Sequence, residues 1–132
     1  MDEPDNVVLI NIKQAQRSLT SAHVLFADDD LGGAINRIYY CVFYCARALL
    51  SSEDLDFKRH SGVISHFRRE YIKTGKLEER LSDIIGDLFD DRMGSDYDTD
   101  FSADIETVKS EIEDAEYFLC KITEYLKSIG KL

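Results

Sequence analysis

Hydrophobic residues recur at steps of three and four along nearly the whole chain. Val8, Ile12, Ala15, Leu19, Ala22 and Phe26 predict a long amphipathic helix that ends at Asp28-Asp29-Asp30. Ala34 to Leu50 predicts a second helix, apolar round most of its circumference and therefore central. Its core face is Ile35, Ile38, Tyr39, Val42, Ala46 and Leu49, and an acidic loop follows from Ser51 to Phe57. A shorter helix begins near His60-Ser61 and carries Val63, Ile64, Phe67 and Tyr71. Ser61 is its expected N-cap and Gly75 its expected stop. Leu77, Leu81, Ile84, Ile85, Leu88 and Phe89 mark a fourth helix, and Asp90 to Phe101 reads as a polar, aspartate-rich connection. The last helix has the cleanest period: Ile105, Val108, Ile112, Ala115, Leu119, Ile122, Leu126 and Ile129. Ser102 is its expected cap and Gly130 its end. No stretch alternates with the period of two that a strand requires. The pattern predicts an all-α, up-and-down bundle of four long helices plus one short helix, as one domain over residues 1–132.

Composition refines this picture. The chain has 132 residues, 44% apolar and 32% charged, enough to bury a core without staples. Its one proline, Pro4, is expected outside any element. The net charge of -10 argues against generic binding to nucleic acid or to a membrane surface. The charge is uneven, however. Lys58, Arg59, Arg68, Arg69, Lys73, Lys76 and Arg80 make one stretch basic, and the aspartates between Leu81 and Asp104 leave Arg92 as that stretch's one cation. Cys41, Cys45 and Cys120 are read as small buried hydrophobes in a reducing compartment. No signal peptide and no membrane-spanning run is evident, so a cytoplasmic location is expected.

Candidate chemistry begins on the central helix. Arg37, Tyr40, Tyr44 and Arg47 recur at steps of three and four and share one face. Two arginines and two phenols on a largely buried helix need partners, so the stripe is either a polar groove or a subunit interface. Asp96-Tyr97-Asp98-Thr99-Asp100 has the alternation of a calcium loop, but Phe101 and Thr107 occupy positions where that loop needs glycine and glutamate. A metal site is therefore not expected. His23, His60 and His66 have no catalytic partner at recognisable spacing, and no phosphate-binding glycine loop is present. Arg92 pairs with a neighbouring aspartate, Asp90, Asp91 or Asp96, or else it contacts a phosphate.

Three segments together resemble the HEPN superfamily, in its prokaryotic UPF0332-like branch. They are Asn36 to Leu50 (NRIYYCVFYCARALL), His60 to Phe67 (HSGVISHF) and Arg92 to Asp98 (RMGSDYD). The resemblance implies a HEPN-like helical bundle, often a homodimer. No cofactor is expected, and the lack of a spanning run predicts no membrane. Many such proteins are metal-independent ribonucleases that cleave RNA by 2'-hydroxyl attack, through an arginine and a histidine with four to six residues between them. Others pair with a minimal nucleotidyltransferase as toxin and antitoxin.

Arg92 matches the motif arginine, but the residue at the histidine's place is Tyr97. A phenol, with an ordinary pKa of about 10, is a poor general base. Arg92 and Tyr97 are the catalytic candidates the resemblance supplies. Arg37, Tyr40, Tyr44, Arg47 and His60 are the candidate binding groove, which the Arg92–Tyr97 loop should face. The leading expectation is a non-catalytic or weakly active HEPN protein that partners a minimal nucleotidyltransferase and binds RNA or a nucleotide. The alternatives are a ribonuclease toxin with a non-standard motif and a purely structural homodimer.

Overall fold

The computed structural model describes residues 4–97 and 103–132, and the side chains of residues 4–6 and of Tyr97 are outside that description. The elements are α1 (Pro4–Ala27), α2 (Leu31–Ser52), α3 (His60–Phe67), a π-helical turn (Arg68–Ile72), α4 (Glu79–Tyr97) and α5 (Ile105–Ser128). Four long helices and one short one form the all-α bundle that the periodicity predicts.

The central helix is α2, which packs against α1, α3, α4 and α5. Its expected core face is buried throughout, with Ile38, Tyr39, Val42, Ala46 and Leu49 fully enclosed. Phe67, Leu81, Ile85, Phe118 and Ile122 complete the interior from the other helices. Each large apolar side chain enclosed in this way contributes roughly 1.5–3 kcal/mol of transfer free energy. Because α2 is the helix most fully surrounded, its half-exposed stripe is held on a rigid support.

Local chemistry explains most boundaries. Asp30 caps α2 by accepting a hydrogen bond from the Gly33 amide at 2.9 Å. The link before it turns sharply at Asp29, whose φ of 61° is a left-handed conformation that aspartate tolerates. Gly75 and Gly130 take φ values of 79° and 74°, and both close helical segments where the sequence places them.

Five expectations are corrected. Pro4 begins α1 instead of lying outside it, since the first helical turn has no use for the amide that proline lacks. The loop expected from Ser51 begins only after Ser52, because Ser51 and Ser52 bond back to the Arg47 and Leu49 carbonyls and stay helical. Ser61 is not an N-cap: His60 already lies inside α3, drawn in by aromatic contacts, and Arg59 precedes it without a side-chain cap bond. Asp90 to Tyr97 is helical and not a connection, so Arg92 stands on α4. Tertiary contacts of Leu88, Phe89 and Arg92 override the weak helix preference of the aspartates there. Finally, Cys120 is exposed, unlike Cys41 and Cys45, because it sits on the outer side of α5 while Phe118 and Ile122 point inward.

Asp98, Asp100, Phe101 and the cap expected at Ser102 lie outside the described residues. Asp104 accepts from the Thr107 amide at 3.1 Å and caps α5. No helix among the described residues is long and apolar enough to cross a membrane.

Candidate functional site

The sequence put Arg37, Tyr40, Tyr44 and Arg47 on one face of α2, and the fold leaves all four half-buried. The Arg37 guanidinium lies 4.9 Å from the Tyr40 ring centre, and the Tyr40 and Tyr44 rings are 6.0 Å apart. Asn36 accepts from Arg37 at 2.8 Å, and Arg47 reaches Asp56 at 3.3 Å. The upper stripe is therefore a cationic and aromatic ladder.

Two further helices complete the patch. α3 brings in His60, and α4 brings in Phe89 and Arg92. The His60 ring stacks on Phe43 with centres 3.9 Å apart and meets the edge of Tyr40 at 5.7 Å. The Tyr39 hydroxyl and His60 Nδ1 are hydrogen-bonded at 3.0 Å. Arg92 lies over both tyrosines, 5.1 Å from the Tyr39 ring centre and 5.2 Å from that of Tyr40. Stacking on ring faces desolvates the guanidinium while the π electrons partly compensate its charge.

Arg92 is held but not saturated. Its side chain is only 16% exposed, and Asp96, one helical turn on, lies 3.4 Å from its Nε. That approach misses hydrogen-bond geometry, so the buried Nε has no hydrogen-bond partner among the described residues. A guanidinium held in that state keeps part of its charge uncompensated, which an anion bound beside it can stabilise.

The electrostatics set protonation states. Burial lowers the His60 pKa, and the charges of Arg92 and Arg47 lower it further. The imidazole is therefore neutral near pH 7. Burial pushes the Tyr39 phenol well above its ordinary range, against the pull of Arg92, so Tyr39 keeps its proton. A neutral imidazole beside a protonated phenol can accept or donate, depending on which ring nitrogen bears hydrogen.

The structure thus brings His60 into the same cluster as Arg92, an association that the sequence does not signal. Tyr39 and Phe89 were read from the sequence only as core, and Phe43 was given no role; the Phe89 ring centre is 5.8 Å from that of Tyr39. One signal was available, since a tyrosine on a buried helix face has a hydroxyl that must find a partner. Tyr97 ends α4, one turn beyond Met93, and its side chain lies outside the described residues. Among the described residues no group of carboxylates, histidines or cysteines has metal-binding spacing.

The HEPN domain family model matches residues 9–125, which span α2, α3, α4 and nearly all of α1 and α5. The chain belongs to the HEPN family. It is 35% identical to a UPF0332 protein of Thermotoga maritima over 131 residues, covering 99% of both chains. Two similar proteins of Methanocaldococcus jannaschii bear the names "Putative toxin MJ0142" and "Putative toxin MJ0605". The first is 35% identical over 91% of this chain and 77% of its own length, the second 36% identical over 89% and 87%. In this HEPN chain the α2 stripe, His60 and Arg92 all fall inside the matched region.

Proposed function

We propose that this HEPN protein has the toxin-type role in a toxin–antitoxin-like pair, and that its α2–α3–α4 patch binds and cleaves single-stranded RNA. The observation that carries the reading is the placement of His60 and Arg92 against the same two tyrosine rings. The half-exposed Tyr40 and Tyr44 rings offer faces on which unpaired bases stack, and Arg37 and Arg47 flank them with positive charge.

The chemistry uses the 2'-hydroxyl of the RNA itself. When His60 donates its Nδ1 hydrogen to the Tyr39 oxygen, Nε2 keeps a lone pair and takes the 2'-hydroxyl proton. The 2'-oxygen then bonds to the adjacent phosphorus and the bond to the 5'-oxygen breaks. The products are a cyclic phosphate and a 5'-hydroxyl, the latter receiving the proton. The Arg92 guanidinium, whose Nε lies 3.4 Å from Asp96 and has no hydrogen-bond partner among the described residues, supplies positive charge beside the phosphate as negative charge builds there.

Purified protein incubated with total RNA and with tRNA tests the reading, read by gel and by cyclic-phosphate end analysis. Cleavage that disappears in both His60→Ala and Arg92→Ala supports it. Intact RNA with the wild type, or cleavage that survives Arg92→Ala, overturns it.

A second reading keeps the patch and omits cleavage. The phenol at Tyr97, where the motif histidine would stand, favours a non-catalytic dimer that partners a minimal nucleotidyltransferase. Pull-down from the native host distinguishes the two, because that reading requires a nucleotidyltransferase in the eluate.

A further inference from the structure

An open cavity of about 370 Å³ lies between α4 and α5, and none of its lining residues belongs to the α2 stripe. Asp87 and Asp91 face it from α4, Glu111 and Asp114 from α5, with Ile84 and Leu88 as its apolar wall. Asp114 has a cation at hand, Arg80 at 3.7 Å. Glu111 does not. It is only 7% exposed, and its Oε1 has no hydrogen-bond partner among the described residues. Asp91 lines the same cavity and its negative charge opposes ionisation of the Glu111 carboxyl, so two acids share one wall. Burying a carboxyl beside another without a compensating charge is costly, and a fold tolerates it where something else completes the group.

The class of that missing group follows from size and lining. No three ligating side chains among the described residues converge at metal spacing, which disfavours a bare divalent ion. The volume lies in the range of roughly 300–1,000 Å³ seen for small organic ligands. A wall of isoleucine and leucine beneath carboxylates suits methylene groups that end in a charge.

We propose that the α4–α5 cavity binds an organic cation, an alkylammonium or guanidinium head on a methylene stem, with Glu111 and Asp91 holding the head and Ile84 and Leu88 lining the stem. The head is either that of a free polyamine or the side chain of a lysine or arginine on a partner protein. None of these residues takes part in RNA binding at the α2 patch, so the proposal stands apart from that reading.

Isothermal calorimetry with spermidine and with a hexa-arginine peptide tests it, on the wild type, Glu111→Gln, Asp91→Asn and the remote control Asp28→Asn. One-to-one binding of at least one probe is expected. Replacing either acid removes a carboxyl that the bound cation would hold ionised, and should weaken binding about tenfold or more in Glu111→Gln and in Asp91→Asn. Asp28→Asn should bind as the wild type does. Spermidine binding at least as tightly as the peptide assigns a free polyamine, and a tighter peptide assigns a basic side chain. Absence of binding by both probes overturns the proposal. Equal binding by wild type and both cavity variants also overturns it, because it shows diffuse attraction to the net charge of -10. Stoichiometric displacement of the probe by magnesium chloride overturns it in favour of an inorganic ion.

Discussion

The Tyr39 hydroxyl sits 3.0 Å from His60 Nδ1, and this one bond ties the buried face of the central helix to the first residue of α3. It fixes the imidazole in a ring cluster under the charge of Arg92. Tyr39→Phe keeps the ring and removes the bond. We expect a stability loss of about 1 kcal/mol by chemical denaturation, the usual net value of one such bond. RNA cleavage should fall by a larger factor than stability alone explains, because the imidazole loses its orienting partner.

His60 should titrate below its ordinary value of 6.5, since burial and the Arg92 and Arg47 charges all oppose its protonation. Arg92→Gln removes one of those charges and should move the His60 pKa upward, as read by NMR titration. The folded pKa is the depressed one, so the unfolded chain takes up the proton first. This group therefore lowers stability as pH falls below 6.5, and the Arg92→Gln variant should lose less stability over that interval.

Asp96 competes for Arg92 from one turn away without hydrogen-bonding to its Nε. Asp96→Asn should tighten binding of a short single-stranded RNA by a few-fold, measured by fluorescence anisotropy at low salt. Arg92 is only 16% exposed, so losing this carboxylate leaves a largely buried cation less compensated and should cost about 1–3 kcal/mol of stability, read by chemical denaturation. Weaker RNA binding in this variant would show that Asp96 positions Arg92 and does not compete for it.

Glu111 has the opposite pH signature to His60. Burial, then the Asp91 hydrogen bond and the neighbouring acids, push its carboxyl from 4.5 up to about 9. Between those values the folded chain holds a proton that the unfolded chain has released. Stability contributed by this group is therefore full below pH 4.5 and declines as pH rises toward 9. Glu111→Gln should flatten that decline and raise the melting temperature at pH 8, as seen by differential scanning calorimetry.

Asp30 accepts from the Gly33 amide at the start of α2. Asp30→Ala should cost about 1 kcal/mol, the usual loss for such a cap, and leave RNA cleavage unchanged. The variant separates global stability from the chemistry of the patch.

Much of the architecture was legible in the residue pattern. Ile38, Val42 and Leu49 on α2 and Val108, Ile112 and Ile122 on α5 are buried where their spacing put them. The boundaries were less legible. Asp90 and Asp91 read as loop because aspartate is a weak helix former, yet Leu88 and Arg92 on either side make tertiary contacts that carry α4 onward. Ser61 read as a cap from residue type alone, but the aromatic contacts of His60 set where α3 begins.

The order of residues is enough to establish that this chain is a helical bundle, that Ala34 to Leu50 is its centre, and that Arg37, Tyr40, Tyr44 and Arg47 share a face. Those conclusions need only helical periodicity, which is a local property. Only the packing of the helices brings His60 and Arg92 together over Tyr39 and Tyr40, and sets Glu111 and Asp91 in the wall of one cavity. Which residues meet across helices depends on how packed side chains set each crossing and rotation, and no spacing along the chain encodes that directly.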